Sequence, residues 1–211
     1  MSDTITLVPR EIEDYAIAHS SPQPAIHAGL RARTVAETTL PQMQIGHMEG
    51  RFLYLLAKLA GARTAVEIGT FTGTSALHIA EALTDDGTLI TCDISEEWTA
   101  IARDHWAQVP WGHKIDLRLA PALETLATLD GPIDFAFIDA DKGGYIAYWE
   151  ALVPKMRRGG LIVVDNVLWG GKVLNPQDDS DHAICAFNDH ARADTRMELV
   201  MLTVRDGVTV A

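Results

Sequence analysis

The sequence predicts an α/β fold: a mostly parallel sheet behind a helical N-terminal arm, with one antiparallel strand at the end. Three observations carry this. From Thr64 onward short apolar runs alternate with amphipathic segments, the pattern of successive βα units whose strands lie parallel. Before Thr64 the apolar residues recur at helical spacing. After Met197 two β-rich runs flank Arg205-Asp206-Gly207, and an Asp-Gly step between such runs marks a hairpin, so the last strand runs against the others.

In the arm, Pro9 suits a first helical turn, and Ile12, Tyr15 and Ala16 come next at helical spacing up to a break at Ser20–Pro24. A second helix is expected from Ala25 to about Thr38. A third runs from Glu49 to Ala60, with Phe52, Leu55, Leu56 and Leu59 forming one apolar face and Gly61 closing it. The expected strands are then Ala65–Ile68, Thr88–Asp93, Ile115–Leu119, Ile133–Ile138 and Leu161–Val164. Between them lie helices at Thr74–Leu83, Glu96–Gln108, Pro121–Leu129 and Tyr145–Met156. Asp85-Asp86-Gly87 and Asp130-Gly131-Pro132 turn the chain into two of these strands. A helix near Asp181–Ala193 leads to Met197–Val204, the hairpin, and Val208–Ala211.

Composition narrows the function. The 211 residues are 47% hydrophobic and 22% charged, and 17 Lys+Arg against 29 Asp+Glu give a net charge of −12. The length fits one domain over residues 1–211, with an arm and lid region over 1–60 and an α/β core over 61–211, and a core of this size needs neither disulfide nor structural metal. Phosphate neutralisation needs clustered Lys/Arg, and the only close basic pair early in the chain is Arg31 and Arg33. Nucleic-acid and membrane-surface partners are therefore not expected. The apolar runs Phe135–Ile138 and Leu161–Val164 are far too short to span a bilayer and read as buried strands. Asp3, Glu11, Glu13 and Asp14 leave no room for the apolar core of a secretory signal, and Cys92 and Cys185 read as buried thiols, so a cytoplasmic setting is expected.

In an open α/β sheet the ligand sits beyond the carboxyl ends of the strands, so the residues just after each strand are where chemistry is expected. After the first comes Glu67-Ile68-Gly69-Thr70-Phe71-Thr72-Gly73-Thr74-Ser75, where two glycines permit a tight turn and the next helix offers N–H groups and hydroxyls to an anion. A βα turn that merely needs small residues is the plain alternative. The second strand ends in Asp93, twenty-four residues after Gly69, where a carboxylate can accept hydrogen bonds from ribose hydroxyls. Phe71 stands where a dinucleotide fingerprint has its second glycine, and no P-loop lysine is present, so a pyrophosphate ligand is disfavoured. Gly73-Thr74-Ser75-Ala76-Leu77 lacks the closing glycine of a nucleophile elbow.

The fourth strand ends in Asp139-Ala140-Asp141-Lys142 and the fifth in Asp165-Asn166. If these strands are neighbours, Asp139, Asp165 and Asn166 converge with oxygen donors only, which suits Mg²⁺, or Mn²⁺ or Ca²⁺. Helix caps and turn residues are the alternative reading. Lys142, three residues beyond Asp139, is placed for general-base work or is a solvated surface lysine. His47, His78, His105 and His182 show no H-x-x-x-H spacing and read as ordinary helix or loop residues. Trp98, Trp106 and Trp111 are expected to pack on the sheet, and Trp169 to form a pocket wall.

Val66–Ser75, Thr91–Ser95, Phe137–Tyr145 and Gly159–Gly171 resemble, in order and at the same strand ends, the motifs of the small cation-dependent S-adenosylmethionine O-methyltransferases, the group of catechol and caffeoyl-CoA O-methyltransferases. The resemblance runs from about Pro41 to Gly207. It implies a Rossmann-like seven-stranded sheet with an antiparallel last strand, helices on both faces, and a homodimer. Glu67, Gly69, Phe71 and Ser75 match cofactor-loop positions, Asp93 matches the ribose acid, and Ala120 to Leu123, with Ala122 among them, match the segment beside the adenine. Met43, Ile45 and Glu49 fall in the segment that closes over the cofactor. Asp139, Asp165 and Asn166 match the metal ligands, and Lys142 matches the general base. Asp139 thus faces both cofactor and metal, and Lys142, Asn166 and Trp169 face the substrate. Thr74 stands where many relatives carry Tyr, and Ala120 where they carry Gly, so the adenine side departs from the pattern.

The implied reaction is methyl transfer from S-adenosylmethionine to one hydroxyl of a catechol-type small molecule. Within the family the alternative acceptor is a caffeoyl-CoA-type thioester, which favours a basic rim for which Arg31 and Arg33 are the early candidates. Outside it stand a nicotinamide-dependent oxidoreductase, disfavoured by the glycine spacing, and an inactive scaffold, disfavoured by the intact set Asp139, Lys142, Asp165 and Asn166.

Overall fold

Runs rich in β-branched and aromatic residues become strands here because both faces of a parallel sheet are covered by helices. The computed structural model describes residues 7–211. The arm comprises α1 (Arg10–Ala18), α2 (Ile26–Glu37) and α3 (His47–Leu59). It is followed by β1 (Thr64–Ile68), α4 (Thr74–Ala82), β2 (Thr88–Asp93), α5 (Glu96–Trp106), β3 (Ile115–Leu119), α6 (Ala122–Ala127) and β4 (Ile133–Ile138). The chain ends with α7 (Tyr145–Leu152), β5 (Met156–Asp165), α8 (Asp179–Ala193), β6 (Val200–Leu202) and β7 (Val208–Val210). The strand order is β3-β2-β1-β4-β5-β7-β6, with β1 to β5 parallel and β7 antiparallel to both its neighbours. No helix among the described residues is long and apolar enough to cross a membrane.

One apolar cluster, with Leu53, Leu77, Ile79, Phe135 and Phe137, lies under α3 and α4. The other, with Ile68, Ile138, Tyr145, Trp149 and Phe187, lies under α7 and α8. Two elements differ from the sequence expectation. The buried face of α3 is Glu49, Gly50, Leu53 and Ala57, while Leu55 and Leu59 are 53% and 82% exposed. Close packing on α4 selects the small residues: a Cβ at Gly50 would lie 2.2 Å from the His78 ring. The helix after β4 stops at Leu152, because Pro154 cannot continue it, and a 3₁₀ turn over Val153–Lys155 lets β5 begin at Met156 rather than Leu161.

The chain leaves β1 toward one edge of the sheet and returns to β4, so the crossovers diverge between β1 and β4. This is where an open sheet forms its crevice. Gly69 and Asp139 meet at that point. The Asp139 N–H donates to Ile68 O at 2.9 Å, and a Cβ on Gly69, whose φ is 96°, would lie 1.9 Å from the Asp139 carbonyl oxygen. Below them the fully buried Glu67 accepts from Thr91 Oγ1 at 2.6 Å, and the Thr91 and Thr70 hydroxyls are 2.5 Å apart. Burial pushes the Glu67 carboxyl up to about 8.

Gly69→Ala is expected to destabilise the chain by about 3 kcal/mol or more, a fall in Tm of roughly 6 °C or more. Thermal unfolding measures it, and an unchanged Tm would refute the close approach of β1 to β4. Glu67 keeps its proton in the folded chain up to about pH 8, against an ordinary value of 4.5. Its stabilising contribution is therefore complete below pH 4.5 and lost as pH rises to 8. Glu67→Gln removes this titration, so the Tm of the cofactor-free variant should gain on the parent steadily across that window. Parallel Tm profiles would contradict the buried, protonated carboxyl.

Candidate active site

A cleft of about 910 Å³ opens above the β1/β4 divergence. Asp139 follows β4 and Asp165 ends β5, and the pairing of Ile138 with Val164 sets the two carboxylates side by side. Asn166 comes next in a left-handed conformation with φ 58°, which turns its side chain into the cleft. Between them stands the Lys142 ammonium, whose Nζ donates to Asp139 Oδ1 at 3.1 Å, Asn166 Oδ1 at 2.6 Å and Tyr145 Oη at 2.5 Å. The Tyr145 hydroxyl in turn donates to the Asp165 carbonyl at 3.2 Å. Burial, then the neighbouring carboxylates of Glu49 and Asp139, hold the Asp165 carboxyl well above the ordinary range. Asp139, Asp165 and Asn166 thus line one part of the cleft with oxygen donors alone, a donor set that fits a hard divalent cation.

On the other side of the cleft the Gly69 loop meets Asp93. Its Oδ2 accepts from the N–H groups of Thr70 at 3.0 Å and Phe71 at 2.8 Å, and its Oδ1 accepts from Ser95 at 2.8 Å. Oδ2 is thus saturated by the loop, and Oδ1 keeps a second lone pair for a ligand hydroxyl. Ser75 lies in the first turn of α4, behind Gly73, whose φ of 82° caps that helix. Phe71, Ala120 and Ala122 line the wall. Glu67 does not reach the cleft: it is sealed under the loop, so its part is to fix the loop rather than to touch a ligand.

Trp98, expected to pack on the sheet, lines the cleft instead, edge-on to Phe71 with ring centroids 5.0 Å apart. Ile94 also lines it and is 80% exposed, an apolar side chain left in solvent beside Asp93. Its only sequence signal is its place directly after the strand-end acid.

Met43 and Ile45 sit at the rim, held by the residue between them. Gln44 Nε2 donates to the Thr74 hydroxyl at 2.5 Å and to that of Thr34 at 3.2 Å, and Thr34 Oγ1 donates to Thr72 Oγ1 at 2.9 Å. Thr74 thereby ties the segment to the Gly69 loop. Arg31 donates to Pro41 O at 2.8 Å and Gln44 Oε1 at 3.1 Å, while Arg33 pairs with Glu37 and Asp104, so neither forms a basic rim. Glu49 is likewise no rim residue. It is fully buried and accepts from Arg205 Nη1, and Arg205, with φ 47°, reaches the cleft from the turn before β7. Asp206 beside it accepts from the Gly170 N–H, which fixes the loop carrying Trp169. The Trp169 ring stands 5.3 Å from Lys142 Nζ, on the cleft wall.

The O-methyltransferase family matches this chain over residues 17–211. Caffeoyl-CoA O-methyltransferase 2 of Zea mays is 42% identical over 176 residues, 77% of this chain and 67% of that protein. Catechol O-methyltransferase domain-containing protein 1 of Mus musculus is 38% identical over 190 residues, 85% of this chain and 72% of that protein. Among solved structures, the O-methyltransferase TomG of Streptomyces achromogenes, in complex with S-adenosylmethionine, superposes with a TM-score of 0.87 at 27% identity, covering 95% of this chain and 94% of that one. With the fold, the strand-end motifs and these likenesses in agreement, the chain belongs to the O-methyltransferase family and is an S-adenosylmethionine-dependent O-methyltransferase.

Proposed function

We propose that the chain methylates one hydroxyl of a catechol-type small molecule and that it does so with a divalent cation, Mg²⁺ foremost, held by Asp139, Asp165 and Asn166. The reading is carried by the meeting of Asp139 and Asn166 at Lys142 Nζ, with Asp165 lining the same cleft and bonded through Oδ1 to the Asn166 N–H. Asp93 receives the ribose hydroxyls of the cofactor, Ser75 and the start of α4 receive its methionine carboxylate, and Phe71, Ile94, Trp98, Ala120 and Ala122 enclose the adenine. Met43 and Ile45 cover it. The carboxylates of Asp93, Asp139 and Asp141 along the cleft attract the cationic sulfonium.

Asp139, Asp165 and Asn166 would hold the divalent cation, whose Lewis acidity would ease ionisation of a catechol hydroxyl. Trp169 would flank the ring, and Lys142 Nζ, as the neutral amine after losing its own proton, would take the proton of the acceptor hydroxyl. The methyl then passes from sulfur to that oxygen, leaving S-adenosylhomocysteine, an aryl methyl ether and a proton on the enzyme. Orientation of the reacting pair in a cleft sheltered from water accounts for much of the rate.

Charge favours a small catechol over a coenzyme A thioester. Among the described residues lining the cleft only Lys142 and Arg205 are cationic side chains, and both are engaged by carboxylates. Nearby Lys172 is held by Asp178 and Asp181. The exposed apolar residues Ile12, Tyr15, Leu55 and Leu59 of the arm support pairing with a second copy as a homodimer.

A panel of catechols, phenylpropanoids and their coenzyme A esters, incubated with labelled cofactor, tests the reading. One methyl should transfer per catechol, turnover should fall by about 100-fold or more in excess EDTA and return with Mg²⁺, and Lys142→Met should cost about 10²–10⁴ in kcat. Full turnover in EDTA would remove the metal from the proposal, and higher kcat/KM for the coenzyme A esters would replace the acceptor.

A further inference from the structure

Away from the cleft, α4 carries His78 and Glu81 three residues apart and so on one helical face, and α2 brings His27 against them. The two imidazoles stack with centroids 3.9 Å apart and planes 12° apart, and they are only 3% and 0% exposed. None of their four ring nitrogens has a hydrogen-bond partner. A neutral imidazole carries one donor and one acceptor, so two of each are sealed in the protein interior without a partner, an arrangement that native cores avoid. Burial, reinforced by the nearby Arg51 and His47, pushes His27 down to about 4 and His78 further still. Both rings are therefore neutral near pH 7, the form whose lone pair binds metal.

We propose that His27, His78 and Glu81 form a second metal site, separate from the cleft, that takes a borderline divalent cation such as Zn²⁺ and ties α2 to α4. One ligand atom from each residue already lies within 4.8 Å of the others. Tetrahedral Zn²⁺ holds its ligand atoms about 3.4 Å apart, so the site must contract. His78 is fixed in the notch at Gly50, and the His27 ring is the one that turns out of the stack to converge on the metal. Two imidazoles and a carboxylate select Zn²⁺ over Mg²⁺, the reverse of the oxygen-only cluster in the cleft. Arg51 donates to Glu81 Oε2 at 3.1 Å and stacks over Tyr54, which anchors the carboxylate at the edge of the site. Because α2 also carries Thr34, bonded to Thr72 and Gln44, metal here would stiffen the support of the cofactor loop.

Full-length protein stripped of metal, in excess Mg²⁺, is titrated with Zn²⁺ against a chromophoric chelator, with Tm followed in parallel and Co²⁺ used as a spectroscopic stand-in. One Zn²⁺ should bind per chain, raise Tm, and give with Co²⁺ the visible bands of a four-coordinate site. His27→Phe keeps a stacked ring of similar volume, and Glu81→Gln leaves the packing intact; each should weaken binding by tenfold or more and abolish the Tm rise. Asp165→Asn should leave both unchanged. Zn²⁺ binding that survives Glu81→Gln, or is lost in Asp165→Asn or to excess Mg²⁺, would overturn the site, as would no binding at micromolar Zn²⁺. Should His27→Phe fail to fold, the Glu81→Gln result decides alone.

Discussion

The carboxylates of Glu49, Asp139 and Asp165 are gathered at one end of the β4–β5 pair, with Asp206 lining the same cleft, and the fold holds those three there against their mutual repulsion. Two cations make this possible. Lys142 reaches Asp139 across one turn, and Arg205 reaches Glu49 from the far end of the chain. Burial nonetheless raises the carboxyls of Glu49, Asp165 and Asp206, and like charge adds to this at Glu49 and Asp165. A site built in this way has its ligands held in place by groups other than the ligand itself. That is what a cation site needs in order to bind without first reorganising.

The same presetting runs through the cofactor side. Glu67, Thr91 and Thr70 brace the loop from beneath, Asp93 braces it from β2, and Gln44 braces it from the segment between α2 and α3. Each brace reaches the loop from a different element, so the shape of the cleft depends on the register of β1 with β2 and β4 as much as on the loop residues. Gly69 is the point where those dependences meet, since any side chain there would strike the β4 backbone.

The parallel sheet, its antiparallel finish and the strand-end set Asp139, Lys142, Asp165 and Asn166 were legible because each is written in a few consecutive residues. The rest was hidden by distance or by burial. Nothing near Glu49 in the sequence points to Arg205, 156 residues away. Leu55 and Leu59 carry the helical period of α3, yet the face that packs is the one with Gly50, Leu53 and Ala57, and the His78 ring of α4 leaves no room for a side chain at position 50. Trp98 has the composition of a core residue and becomes a cleft wall because α5 starts at the cleft edge. His27 and His78 lie on different helices, so no local spacing links them.

The strand-end oxygens, on this account, form one hard-cation site whose ligands the fold presets. Titration of the metal-free protein with Mn²⁺, read by electron paramagnetic resonance in the presence of S-adenosylmethionine, tests this most directly. One Mn²⁺ should bind per chain, Mg²⁺ should displace it, and Asp139→Asn or Asp165→Asn should eliminate it. Mn²⁺ binding of the same stoichiometry and affinity in both variants would contradict the preset site.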